Sequence, residues 1–424
     1  MNSIFLLLIT TYLVIITVGS LFNKYLKLPW MFTVIIYGIV LSIFGAFKGV
    51  FQSESFKLLS QLGMLFFLFT VGLELNLQEI KRLGKVIVFG NLALVLTEAT
   101  LLALVFYFFF PSYVSNNFFV AFIAGVAFGT VGEVLLMAIL KEFGLENTRF
   151  GQLALGIGVF DDIFEIFAMG VIVALPAFVV VGGNNTTAVS DGLQIIGILL
   201  GLLIVSAVLI KFGKSLQVHF QKIGNLNDKV PPFLIFLFFF GFIYLTSSKF
   251  EGLGIIAAIF AGLVIKEVMP PAWIEHYKKP IFFAANFILG PFFFLKLGSG
   301  ISFQALLSNP LLILIILVIS LSSRIAISYL FFRKIVGHKE SVVLGVGLCA
   351  KMSTSVVSEN LLFTSGMIAA PLYSAIMVSF ILLKPIVVAV FSRNLAVIKD
   401  DIKQREDEVK LNEGASAEVI AFTP

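Results

Sequence analysis

Charge is scarce in this chain. Of its 424 residues only 12% are Asp, Glu, Lys or Arg, about half the share typical of soluble domains. Histidine occurs three times, tryptophan twice and cysteine once. The single cysteine, Cys349, excludes an intramolecular disulfide and says nothing about redox compartment. The histidines, His219, His276 and His338, fall in loops between apolar runs, so no nucleophile–base pair or zinc site is laid out. No phosphate-binding loop is found either. The sequence therefore predicts neither an enzyme nor a resident cofactor.

What replaces charge is apolar surface. Hydrophobic residues make up 59% of the chain, and mean hydropathy is +1.07. That excludes a soluble globular domain and a disordered chain. The 48 phenylalanines and 35 glycines suit a helix bundle in a lipid bilayer, where small residues let backbones approach. A net charge of +5 does not point to nucleic acid, because the positions of the positive charges matter more than their sum.

A spanning helix needs roughly 20 mostly apolar residues. Thirteen such runs are expected, near 3–22, 29–47, 56–75, 86–110, 117–140, 150–181, 192–212, 231–247, 252–267, 280–300, 310–332, 341–364 and 371–392. The loops between them support this division. Of the 29 basic residues, 22 fall in alternate loops and only 3 in the others. Lys and Arg concentrate on the cytoplasmic side. The expectation is a multi-pass protein of the cell (inner) membrane with its N-terminus outside and its C-terminus in the cytoplasm. Residues 1–398 form the membrane domain, and 399–424 a short, solvated cytoplasmic tail.

Few ionisable residues fall within the runs, and those are functional candidates by default. The run at 150–181 carries Asp161, Asp162 and Glu165 at its centre. Spacings of three and four put them on one helix face. Three carboxylates this close cannot all be ionised without a cation or a basic partner, and they titrate as a coupled set. Oxygen ligands suit hard cations, so such a site can exchange protons for a metal cation, with Asp161 and Asp162 as its ligands.

Two runs are interrupted by small and hydroxyl residues: Gly129-Thr130-Val131-Gly132-Glu133, and Cys349-Ala350-Lys351-Met352-Ser353-Thr354-Ser355. If the first six and last six runs are inverted repeats, these interruptions correspond, and paired interruptions point to a transport site. Glu133 is expected to neutralise the N-terminal ends of the broken helices and Lys351 the C-terminal ends. Thr130 and Ser353 are expected to add cation ligands. Arg324 is a permanently charged counter-ion for the carboxylates, with Glu98 as a partner if the repeats pack together. Lys296 either titrates or snorkels to the nearby surface; Lys384 is expected to snorkel and Glu359 to be interfacial.

These residues match a known family. Leu62-Gly63-Met64-Leu65-Phe66-Phe67-Leu68-Phe69-Thr70-Val71-Gly72-Leu73-Glu74-Leu75 strongly resembles the third-helix signature of the monovalent cation:proton antiporter-2 family. Leu28-Pro29 with Tyr37-Gly38-Ile39-Val40-Leu41 is similar to its second-helix motif. Gly151-Gln152-Leu153-Ala154-Leu155-Gly156 leading to Asp161-Asp162 resembles its ion-binding helix, and Phe292-Phe293-Phe294 with Gly298 a later segment. The resemblance runs from about residue 5 to 393.

It implies an all-α polytopic protein of NhaA-type fold, with inverted repeats, two crossed discontinuous helices and usually a homodimer. Core helices would lie near 86–181 and 310–392, dimer or scaffold helices near 3–75 and 231–300, and a linker helix at 192–212. By the same resemblance Asp162 is the essential cation and proton carboxylate. An aspartate at 161 resembles electrogenic members, whereas arginine at 324, where lysine is frequent, resembles the electroneutral branch. Lys351-Met352-Ser353 stands where Arg-Gly-Glu is usual, and Glu165 where the family is apolar.

The expected activity is secondary-active exchange of a monovalent cation, Na+ first, for protons. Both compete for Asp161 and Asp162 while a core domain moves, elevator-fashion, against a fixed one. A K+/H+ exchanger of the same fold is the first alternative, and a non-transporting sensor or channel-like member the second.

Overall fold

The computed structural model describes residues 2–26, 28–75, 84–179, 186–224, 230–247, 252–351 and 353–421. Within these, the side chains of residues 2, 133–135, 177–179, 186–191, 223–224, 308, 353 and 405–421 are not described. The described residues are helical apart from short turns, with no strand among them. In a bilayer core no water meets the backbone, so each apolar run closes its own hydrogen bonds as a helix.

The first four are α1 (Ser3–Leu26), α2 (Trp30–Ile43), α3 (Glu54–Glu74) and α4 (Lys85–Phe109). A broken helix follows, α5a (Phe118–Phe128) and α5b (Glu133–Phe143), then α6 (Arg149–Val179) and α7 (Thr186–Lys211). Next come an amphipathic α8 (Gly213–Gly224), α9 (Val230–Ser247), α10 (Leu253–Val268) and α11 (Pro271–Ser299). The chain ends with α12 (Pro310–Val336), a second broken helix α13a (His338–Gly347) and α13b (Ser353–Thr364), and α14 (Ala370–Ala421). All the expected apolar runs fall on these helices. Eight described helices are individually long and apolar enough to cross a membrane.

The packing is reciprocal between the two halves. α2 packs on α11 and α3 on α10, so each half reaches across to the other. α4 packs on α5a as α12 packs on α13a, and α4 meets α12. Two of these contacts require glycine. A methyl group on Gly38 would fall on the backbone of Gly298, and one on Gly72 would fall on the backbone at Ile259 and Gly262. Small residues at such crossings replace the hydrophobic drive that lipid does not supply.

Several boundaries differ from the sequence reading. α11 begins at Pro271, well before the apolar run at 280, and carries a π-turn, Ala284–Leu289, just ahead of Pro291. A proline has no N–H to give the preceding turn, and the wider turn absorbs the mismatch. α14 does not stop near residue 392 but continues as one helix through the charged tail. Its Leu395, Ile398 and Ile402 are buried, and α14 meets α5b, so the start of the tail packs rather than being solvated.

Lys384 does not snorkel. It is 3% exposed, on the α14 face shared with Phe380 and Val387, and its ammonium lies 4.4 Å from the Phe32 ring centroid. Glu359 is not interfacial. It is fully buried because α13b is enclosed by α5a, α6 and α14.

A cavity of about 1100 Å³ lies between α3, α10 and α11 on one side and α6 and α13b on the other. Its polar lining includes Lys57, Gln61, Lys296, Asn360 and Thr364.

Candidate functional site

The two helix breaks meet. Residues 129–132 and 348–351 leave the helical path, and the Gly132 N–H donates to the Ala350 carbonyl across the crossing. Thr130 and Ser355 share a hydrogen bond between their hydroxyls. Glycine at 129 and 132 explains the first break, because neither residue gains from continuing a helix. The freed backbone groups are then satisfied by the opposite break and by α6.

α6 passes the crossing with Asp161 turned into it. The Asp161 carboxylate accepts the Asn91 side-chain amide at 2.9 Å through Oδ1 and the Val131 backbone N–H through Oδ2. It is fully buried. Asp162, the next residue, is only half-buried. The two neighbours thus differ in burial, with Asp161 bonded into the crossing.

The second charge cluster is a clamp on Glu98, which α4 buries completely. Arg324 on α12 donates from Nε to Oε2 of Glu98 at 2.7 Å, and from Nη1 to the Leu348 carbonyl at 3.0 Å. That carbonyl lies at the buried C-terminal end of α13a, where positive charge is favourable. Lys351 donates to both Glu98 oxygens, at 2.9 and 3.0 Å, and lies 4.8 Å from the ring centroid of Phe128 at the end of α5a. Arg324 also acts electrostatically on Asp161. Two cations, Arg324 and Lys351, balance two carboxylates, Glu98 and Asp161, so this set is neutral when all are ionised. Burying it is tolerable only because every charge is compensated.

Glu165 lies outside that balance. It is 3% exposed, and the hydroxyls of Thr354, Thr130 and Ser358 lie against its carboxylate.

The structure therefore brings Glu98, Thr130, Asp161, Asp162, Glu165, Arg324 and Lys351 to one region. The side chains of Glu133 and Ser353 lie outside the described residues. Lys296 is elsewhere, on α11 in the wall of the large cavity. Arg324 forms its ion pair with Glu98 rather than with either aspartate. Sequence reasoning missed Asn91 and Ser358, and quoted Thr354 and Ser355 only as part of the second interruption, without a role. Asn91 carried a usable signal, since it precedes Glu98 by two helical turns and shares its buried face.

A family model described as "Sodium/hydrogen exchanger, transmembrane" matches residues 9–393. The chain belongs to that exchanger family. It is accordingly a transporter and not an enzyme. Among similar exchangers, a "Probable Na(+)/H(+) antiporter 3" of Methanocaldococcus jannaschii is 24% identical over 86% of this chain and 89% of that protein. "Probable Na(+)/H(+) antiporter GerT" of Bacillus cereus is 25% identical over 77% of this chain and 82% of its own length. The "Glutathione-regulated potassium-efflux system protein KefC" of Shigella flexneri is 25% identical over 74% of this chain but only 48% of its own. In fold the exchanger is similar to the sodium proton antiporter MjNhaP1 of M. jannaschii. The TM-score is 0.56 at 17% identity, covering 95% of this chain and 97% of that one.

Proposed function

We propose that this exchanger is a secondary-active monovalent cation/proton antiporter of the cell membrane, with Na+ as its first cation. The observation that carries the reading is the division of the aspartate pair. Asp161 is held by Asn91 and Val131, while Asp162 is half-buried beside a charge-neutral clamp. Asp162 is then the carboxylate that holds either a proton or a cation, with Asp161, the Thr130 hydroxyl and Ser353 completing the cation's oxygen shell. Competition for one carboxylate couples the two fluxes. Because Glu98, Asp161, Arg324 and Lys351 cancel, the charge of the site depends on what Asp162 and Glu165 hold.

Alternating access is assigned to movement of a core, α4–α6 with α12–α14, against a scaffold of α1–α3 and α9–α11. The large cavity between α6 and α13b on one side and α3 and α11 on the other supports that division. The scaffold is also the proposed homodimer surface. The sorting of basic residues among loops supports an outside N-terminus and a cytoplasmic C-terminus. If two protons move per cation, each cycle carries one net charge, worth about 2.3 kcal/mol per 100 mV.

The test is purified protein in vesicles with an internal pH dye. Added Na+ or Li+ should dissipate a preset proton gradient, with and without a clamped potential. Proton flux indifferent to Na+, Li+ and K+ would sink the reading. Similarity to the potassium-efflux protein favours K+/H+ exchange as the second reading. It holds if K+ drives proton flux at lower concentration than Na+.

A further inference from the structure

We propose that Glu165 and the hydroxyls around it form a second binding site for a dehydrated monovalent cation, one helical turn along α6 from Asp161. The inference deepens the antiport reading and rests on it for the cation's identity.

Four observations lead there. First, the donors are oxygens from three different elements: the Glu165 carboxylate on α6, the Thr130 hydroxyl in the break of α5, and the Thr354 and Ser358 hydroxyls on α13b. A carboxylate with hydroxyls is the ligand set that hard cations take. Second, Oε1 of Glu165 and Oγ of Ser358 are buried with no hydrogen-bond partner among the described residues. Leaving a buried carboxylate oxygen unpaired is costly, and a hydroxyl can turn its lone pairs toward a cation as readily as its proton toward an anion. Third, no ammonium or guanidinium among the described residues forms an ion pair with Glu165, because Arg324 and Lys351 are both bound to Glu98. Its compensating charge must arrive from outside the clamp.

Fourth, Asp161 has both carboxylate oxygens engaged, by Asn91 and by Val131. Glu165, three residues past Asp162 on the same helix, keeps its Oε1 without a hydrogen-bond partner among the described residues. The two sites are successive stops, and Thr130 stands at both. Because the hydroxyls come from both broken helices, the second site exists only while the crossing is assembled. The competing reading is a purely structural one, in which Glu165 is a protonated staple between α6 and α13b.

The experiment uses the full chain. Cation uptake by purified protein is measured by titration calorimetry with NaCl, LiCl and KCl, and half-saturation of exchange is measured in vesicles. Glu165→Gln should raise the half-saturating concentration by about tenfold and remove one of two bound cations. Asp162→Asn should abolish exchange. Ser358→Ala, which keeps the carboxylate, should weaken half-saturation in the same direction by a smaller factor, and it decides the matter if Glu165→Gln does not fold. Unchanged half-saturation for all three cations in a folded Glu165→Gln or Ser358→Ala protein overturns the second site, even if thermal stability falls. The two readings fail separately. Cation binding that depends on Glu165 without proton flux sinks the antiport reading alone. Cation-driven flux with Glu165-independent half-saturation sinks the second site alone.

Discussion

Arg324 and Glu98 meet at 2.7 Å with neither side chain exposed, two helices joined by a salt bridge that water does not reach. In lipid or in a dry core such a pair gains little over apolar packing when intact, but losing one partner strands a charge. Its worth to this exchanger is positional. It ties α4 to α12 and holds the guanidinium on the Leu348 carbonyl, at the break of the second discontinuous helix.

Glu98→Gln leaves Arg324 and Lys351 buried with half their compensation gone. The expected loss is about 3–5 kcal/mol, the usual cost of breaking a buried pair. Thermal unfolding in detergent should show a large fall in Tm. Adding Lys351→Met removes one stranded cation, so the double variant should lose less than the sum of the two single losses.

Asn91→Ala removes the donor that Oδ1 of Asp161 accepts. An unmade hydrogen bond to a buried group costs about 1–3 kcal/mol. Exchange should slow, while Asn91→Ser, which keeps a donor, should retain more activity. Equal rates in the two variants would show that the hydrogen bond does not position Asp161.

Asp161 and Asp162 should respond differently to Asn. Asp162→Asn should abolish cation-driven proton flux in a folded protein. Asp161→Asn unbalances the clamp and weakens the contact to Val131, so it should lower Tm as well as flux. Tm and vesicle flux measured on the same preparations separate the two roles.

Lys384→Met exchanges a buried ammonium over the Phe32 ring for an apolar chain of similar length. Since no ion pair is broken among the described residues, stability should be unchanged or higher. Phe32→Ala in the parent should be markedly worse than in the Lys384→Met background, because the ring also shields the charge. Additive Tm losses would rule out that coupling.

Gly298→Ala should lower Tm. The added methyl meets the Ile35 and Gly38 backbone, and overpacking of this kind costs about 1–3 kcal/mol. Gly241→Ala, where the same methyl meets nothing, should be neutral or slightly stabilising.

Some of this was readable before any packing was known. Low charge and long apolar runs dictate helices, because a chain in hydrocarbon must close its own hydrogen bonds. Glycine and hydroxyl residues inside the runs at 117–140 and 341–364 marked both helix breaks, since those residue types gain least from helix continuation. Adjacent carboxylates mid-run pointed to the candidate site, because placing them there is expensive.

What composition and spacing could not supply was who pairs with whom. The sequence offers Arg324 the carboxylates at 161, 162 and 165, and Glu98 only on condition that the repeats pack together; the α4–α12 contact decides for Glu98. Lys384 and Glu359 look like end-of-helix residues until α2 and α13b enclose them. Glu165 resembles one more member of an acidic cluster until Thr130, Thr354 and Ser358 arrive from two broken helices. The physical reason is common to all three. Local sequence specifies backbone hydrogen bonding, which is satisfied within one helix, whereas charge compensation is satisfied between helices and depends on how they cross.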